Sequence, residues 1–183
     1  CSSFHDIQDP VRRKVDEDTA RWFGTPVILT YQNATPGLLP SECDRLGKIS
    51  IGTELGWGQS INSEGVRYAK HGVRAAAIHH DQMRGTIEAI GHHQSGTQLL
   101  ANATDPACTF IAPYPGHYEP LINCGAMVNR GDVVGYLHDF DRIDETPLPV
   151  IAGVTGVIVA QAWSAKVRKG RHILVLGVVT KIR

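Results

Sequence analysis

Lys48-Ile49-Ser50-Ile51-Gly52-Thr53-Glu54-Leu55, followed by Gly56-Trp57-Gly58-Gln59, is the stretch whose reading decides the fold. The β-branched isoleucines predict a strand over 48–55, and the glycine-rich loop ends it. Beyond the loop, Val66, Ala69, Val73, Ala76 and His80 fall on one helical stripe, with Ser63 as the predicted cap of a helix running to Met83. Strand, loop and helix make an α/β unit whose loop lies at the carboxyl end of the strand, where open α/β sheets place their ligand sites. Glu54 sits there. A carboxylate so placed can serve as general base on a metal-bound water, and the competing reading is a surface or helix-capping acid.

Upstream, Asp9-Pro10 predicts the start of a helix through Val11 to Trp22, with Val11, Val15, Thr19 and Trp22 on one face. Phe23-Gly24-Thr25-Pro26 ends that helix, and Val27-Ile28-Leu29-Thr30-Tyr31 reads as a strand. Downstream the helical period disappears from about Thr86, and short aliphatic runs alternate with Gly and Pro. An internal repeat lies there: Ala112-x-x-x-Gly116 recurs as Ala152-x-x-x-Gly156, and Val128-Asn129-Arg130-Gly131 as Val167-Arg168-Lys169-Gly170. Two copies are too few for a solenoid and predict two β-hairpin halves clasped into a flattened barrel. The expected domains are 1–85, α/β, and 86–183, all β.

The 183 residues, 42% hydrophobic and 20% charged, are those of a folded chain, and 18 bases balance 18 acids. That balance gives no support to a nucleic-acid or membrane partner. The widely spaced Cys1, Cys43, Cys108 and Cys124 form no C-x-x-C pair, which argues against a thiolate zinc site. With no signal peptide visible, a cytoplasmic setting is expected.

Ser50 to Gly58, then Val66, Gly72-Val73-Arg74 and the His79-His80 pair, resemble the last strand and final helix of the succinylglutamate desuccinylase/aspartoacylase family of the zinc-carboxypeptidase superfamily. Within that family, the branch that deacylates N-acyl diamino acids is the most similar. The resemblance extends to Pro120-Leu121-Ile122, Gly131, Val134-Gly135 and Pro149-Val150-Ile151-Ala152, which match the family's C-terminal β domain. It implies the α/β C-terminal part of a zinc-carboxypeptidase-like domain followed by a domain like a barrel-sandwich hybrid. It also implies a Zn2+-dependent deacylase acting on a small N-acyl amino acid, with Glu54 as general acid/base.

The family binds zinc through an H-x-x-E pair and a later histidine. Here His5, His71 and His79 are followed three residues on by Gln8, Arg74 and Gln82. The expectation is therefore that the chain is the C-terminal portion of the protein, contains none of the zinc ligands, and is inactive alone. His79 and His80 are adjacent on a helix, so their side chains diverge by about 100°. His92 and His93 lie in a loop without a nearby carboxylate. His5, close to where the family's ligands end, is left unassigned.

In the β region, Gly116-His117-Tyr118-Glu119 is the candidate for a tyrosine over the substrate, although Tyr is ordinary in β structure and a structural role for Tyr118 is favoured. From Gln161 onward there are six bases and no acid, best read as a solvated strand face. The β repeat also resembles biotinyl- and lipoyl-carrier domains, so a non-catalytic binding or assembly module is the alternative. Acylation is excluded where such carriers need a lysine, because His138 to Pro149 contains none. A homo-oligomer is among the expectations.

Overall fold

Parallel pairing of β1 (Ser2–His5) with β2 (Val27–Tyr31) requires a crossover, and α1 (Pro10–Phe23) supplies it. The computed structural model describes residues 1–32, 36–56, 60–87 and 98–182. It divides into two units, Cys1–Leu100 with Thr180–Arg183, and Ala101–Val179. No helix among the described residues is long and apolar enough to cross a membrane.

In the first unit, the Asp9 side chain accepts from Val11 N (2.9 Å) and Arg12 N (3.2 Å), and Pro10 occupies the first turn, where no N–H is needed. After α2 (Leu39–Arg45), β3 (Gly52–Thr53) runs antiparallel to β1, with Thr53 opposite Ser2 and Gly52 opposite Ser3. The expected strand over 48–55 thus shrinks to two residues. The reason is that the preceding backbone is bonded elsewhere. Lys48 N donates to Cys43 O (2.8 Å), the Arg12 guanidinium donates to Lys48 O, and the Ser50 N–H meets the Asp16 carboxylate.

The helix α3 (Ser63–His79) follows, capped by Asn62 and not by Ser63: Asn62 Oδ1 accepts from Gly65 N at 2.6 Å. Then β4 (Leu99–Asn102) begins beside β2, where Leu99 N donates to Pro26 O at 2.9 Å.

Both long helices turn inward a face shifted by one position from the one their apolar periodicity predicts, with Thr19 common to both in α1. In α1 the buried positions are Asp16, Thr19, Ala20 and Phe23, while Val11 is 74% exposed. In α3 they are Gly65, Tyr68, Gly72 and Ala75, one position before the predicted stripe, and Val73 is 67% exposed. On α3 the absence of a side chain at Gly72 lets the Phe23 ring of α1 lie against its backbone. Phe4, Ala20 and Ile28 form the core, with Ile51 and Leu100 against it.

The second unit is all β apart from one 3-10 turn at Pro106–Cys108. It comprises β5 (Thr109–Ile111), β6 (Gly116–Pro120), β7 (Met127–Val128), β8 (Val133–His138), β9 (Leu148–Ile151), β10 (Gly156–Gln161), β11 (Lys166–Val167) and β12 (His172–Ile182). One sheet runs β11-β6-β8-β9, and a second set pairs β7 with β10, β10 with β12 and β12 with β5.

The sequence repeat becomes a reciprocal exchange. Val167 pairs with Gly116 as Val128 pairs with Gly156. Gly170 N donates to Ala112 O as Gly131 N donates to Ala152 O, both at 2.8 Å. The strands β5, β6, β7 and β8 therefore correspond to β9, β10, β11 and β12, and within each half only β6–β8 or β10–β12 pair. Val134, Leu137, Val150, Ile158, Leu174 and Leu176 fill the interior between them.

Candidate functional site

Glu54 follows β3 directly, and the pairing of β3 with β1 continues through it. Glu54 N donates to Cys1 O at 3.0 Å, and Cys1 N donates to Glu54 O at 2.9 Å. The backbone is fixed, whereas the side chain is exposed and its carboxylate makes no hydrogen bond or ion pair among the described residues.

On the other side of Glu54, the first turn of α3 holds the chain. A β-carbon at Gly65 would overlap the carbonyl oxygen of Leu55, so only glycine lets the two backbones come this close. Asn62 Nδ2 lies 3.5 Å from the same oxygen, and a β-carbon at Gly56 would stand 2.9 Å from that nitrogen. Sequence reasoning passed over Asn62 and Gly65. Its one available signal was a glycine in the first turn of a helix, which costs about 1 kcal/mol against alanine and so asks for a packing reason.

The described histidines of the first unit that the sequence singled out, His5, His79 and His80, are engaged with groups other than Glu54. His5 ends β1, four residues along the strand from the Cys1–Glu54 pair, and its Nδ1 bonds the Asp44 carboxylate. Arg12 grips the same residue, donating to Asp44 Oδ1 (2.9 Å) and Asp44 O (2.7 Å). This knot ties α2 to α1 and β1.

Beneath it lies Asp16, whose burial pushes its carboxyl above the usual range, with the Ser50 N–H and the Arg12 charge pulling the other way. His79 packs on Trp22, ring centroids 5.8 Å apart, and burial pushes its pKa down. His80 Nε2 lies 2.8 Å from Thr19 Oγ1, whose hydrogen goes to Val15 O (2.7 Å), so His80 is the donor. His92 and His93 lie outside the described residues. Among the described residues no three His, Cys, Asp or Glu side chains gather where they could hold a metal ion. A catalytic zinc takes three protein ligands, so this set does not fit one.

Tyr118 lies in the second unit, 3% exposed among the core residues. Its hydroxyl accepts from Gln161 Nε2 at 3.1 Å, and burial pushes its pKa up to about 12. The bases after Gln161 include Lys166, Arg168, Lys169 and Arg171, all exposed on β11 and the turn after it.

No protein-family model matches the chain. Over 178 residues it is 24% identical to the N-alpha-acetyl-L-2,4-diaminobutyric acid deacetylase of Halomonas elongata, across 97% of this chain and 51% of that protein. Its structure superposes on a succinylglutamate desuccinylase/aspartoacylase from Rhodobacter sphaeroides with a TM-score of 0.88 and 26% identity, covering 98% of this chain and 54% of that one. The chain has the succinylglutamate desuccinylase/aspartoacylase fold. The ectoine utilization protein EutE (DoeB) from Ruegeria pomeroyi, in a product-bound structure, shares this desuccinylase/aspartoacylase fold at a TM-score of 0.86 and 22% identity. That match covers 97% of this chain and 52% of that one. The chain thus spans about half the length of the desuccinylase/aspartoacylase relatives it matches.

Proposed function

We propose that the chain belongs to an enzyme that hydrolyses the amide bond of an N-acyl amino acid, with Glu54 as its general acid/base. The observation that carries this reading is an exposed carboxylate, without a bonding partner among the described residues, on a backbone held from both sides, in a chain whose similar proteins include a deacetylase. In the reaction Glu54 takes a proton from the attacking water as the carbon–oxygen bond forms. It then delivers that proton to the leaving nitrogen as the carbon–nitrogen bond breaks, which yields a carboxylic acid and an amine. An exposed carboxylate suits the first step, and the fixed backbone keeps it in reach for the second.

The zinc that the resemblance implies is proposed to be held by residues outside this chain. The 183 residues alone are accordingly proposed to be inactive. The second unit, whose halves exchange strands, is proposed to be a barrel-sandwich-hybrid-like domain. Tyr118 is proposed to have a structural role there, its hydroxyl accepting from Gln161 Nε2. A cytoplasmic setting is part of the same proposal.

The test is Glu54→Gln in the complete protein, assayed on N-acyl amino acids. Turnover is expected to fall by about 10²- to 10⁴-fold, the usual worth of a positioned acid/base. Turnover near wild type would remove Glu54 from the reaction.

A further inference from the structure

Among the described residues no side chain bonds the Glu54 carboxylate, so the backbone around it is what they offer to aim it. The Cys1 pair fixes its own N–H and C=O, and the next peptide is fixed by the first turn of α3.

We propose that Asn62 and Gly65 are positioning residues for Glu54, clamping the Leu55 carbonyl and so setting the direction in which the preceding carboxylate leaves the strand. The proposal rests on the acid/base role of Glu54. Asn62 has two separate tasks: its Oδ1 caps α3 through Gly65 N–H (2.6 Å), and its Nδ2 faces Leu55 O (3.5 Å). Gly65 serves the same oxygen by absence, since the space its β-carbon would fill holds the carbonyl. The glycine weakens the helix, so helix stability does not explain it, and capping does not require the second contact that the Asn62 amide makes with Leu55 O. Both converge on one backbone atom, immediately after the proposed acid/base. Displacing that atom turns the Leu55–Gly56 peptide, and the change reaches Glu54 through the backbone of Leu55.

The two tasks of Asn62 can be separated. Serine caps a helix about as well as asparagine, yet it is too short to reach Leu55 O. In the complete protein, Asn62→Ser is expected to keep the wild-type melting temperature and KM while kcat falls about tenfold. Gly65→Ala, which must push the carbonyl by about an ångström, is expected to lower kcat about 10²-fold. Peptide-level amide exchange over 51–56 is expected to quicken in both variants, a change that a helix-capping role alone does not produce.

Gly65→Ala also risks the fold, so the decision rests on Asn62→Ser. Wild-type kcat and wild-type exchange in that folded variant overturn the positioning role. Glu54→Gln is measured alongside: if it retains turnover, the acid/base reading fails. If it is crippled while Asn62→Ser is unaffected, the positioning role fails alone.

Discussion

Gly72 of α3 faces the Phe23 ring of α1 so closely that a β-carbon at position 72 would overlap three ring carbons. Phe23 is the last residue of α1 and is buried, so the two helices meet at this point through an aromatic face laid on bare backbone. Replacing Gly72 by Ala would raise intrinsic helix propensity by about 1 kcal/mol. The clash must displace either a ring locked in the core or the whole helix, and such overpacking costs about 1–3 kcal/mol. Gly72→Ala is therefore expected to be destabilising despite the propensity gain, and Gly72→Val more so. Urea unfolding measures both. An alanine variant more stable than wild type would mean that the helices do not meet as described.

Asp16 carries the clearest acid-range signature. Its folded pKa lies above the model-compound value of 3.8 because burial outweighs the Ser50 N–H and the Arg12 charge. The folded state therefore holds its proton more tightly than the unfolded chain does. The contribution of Asp16 is fully present below the unfolded pKa and is lost as pH rises through the folded one. Asp16→Asn should flatten this part of the stability curve. Unfolding free energies measured from about pH 3 to pH 6 for both proteins check it, and parallel curves would assign the slope to other groups.

These residues also show what could be read in advance. The strand at 27–31, the crossover helix behind Asp9-Pro10 and the reciprocal halves of the β region were legible, because turn residues and repeated Ala/Gly spacings mark them directly. The inward faces of α1 and α3 were not. A hydrophobic stripe predicts burial by apolarity, whereas the buried positions of these helices include Gly65, Gly72, Ala75 and Ala20 together with the acidic Asp16. At the site, Glu54 was visible as an acid at a strand end. Its clamp was not, since it depends on how near Gly65 comes to Leu55 across a loop, a distance with no counterpart in sequence spacing. The shortening of β3 has the same origin, because Arg12 and Asp16 take the hydrogen bonds of 48–50 from a different element.

Tyr118 should report on the second unit at the alkaline end. Burial, together with the neighbouring Cys124, raises it from 10.0 to about 12, and the Gln161 amide offsets only part of that. With the folded pKa raised, its contribution is intact below pH 10 and declines as pH rises toward 12. Absorbance titration should place Tyr118 in the last step of tyrosine ionisation, and Tyr118→Phe should remove one tyrosine from that step. The same variant should lose about 0.5–1.5 kcal/mol at neutral pH with the Gln161 bond. An undiminished late step in Tyr118→Phe would mean that Tyr118 does not contribute to it.

The exchange of strands between halves makes a prediction about equality. Gly131 and Gly170 occupy corresponding turns, with φ of +95° and +82°, and each donates its N–H to the alanine that opens the other half's repeat. A β-carbon at either would meet nothing within 4 Å. Alanine there costs only the left-handed backbone conformation, about 1–2 kcal/mol, with no steric clash to add. Gly131→Ala and Gly170→Ala should therefore destabilise the second unit by the same amount, within about 0.5 kcal/mol, and the double variant by their sum. Urea unfolding followed by amide exchange within 101–179 measures the three variants. A marked inequality would show that the two turns, though alike in sequence and φ, are not equivalent in how they close the halves on each other.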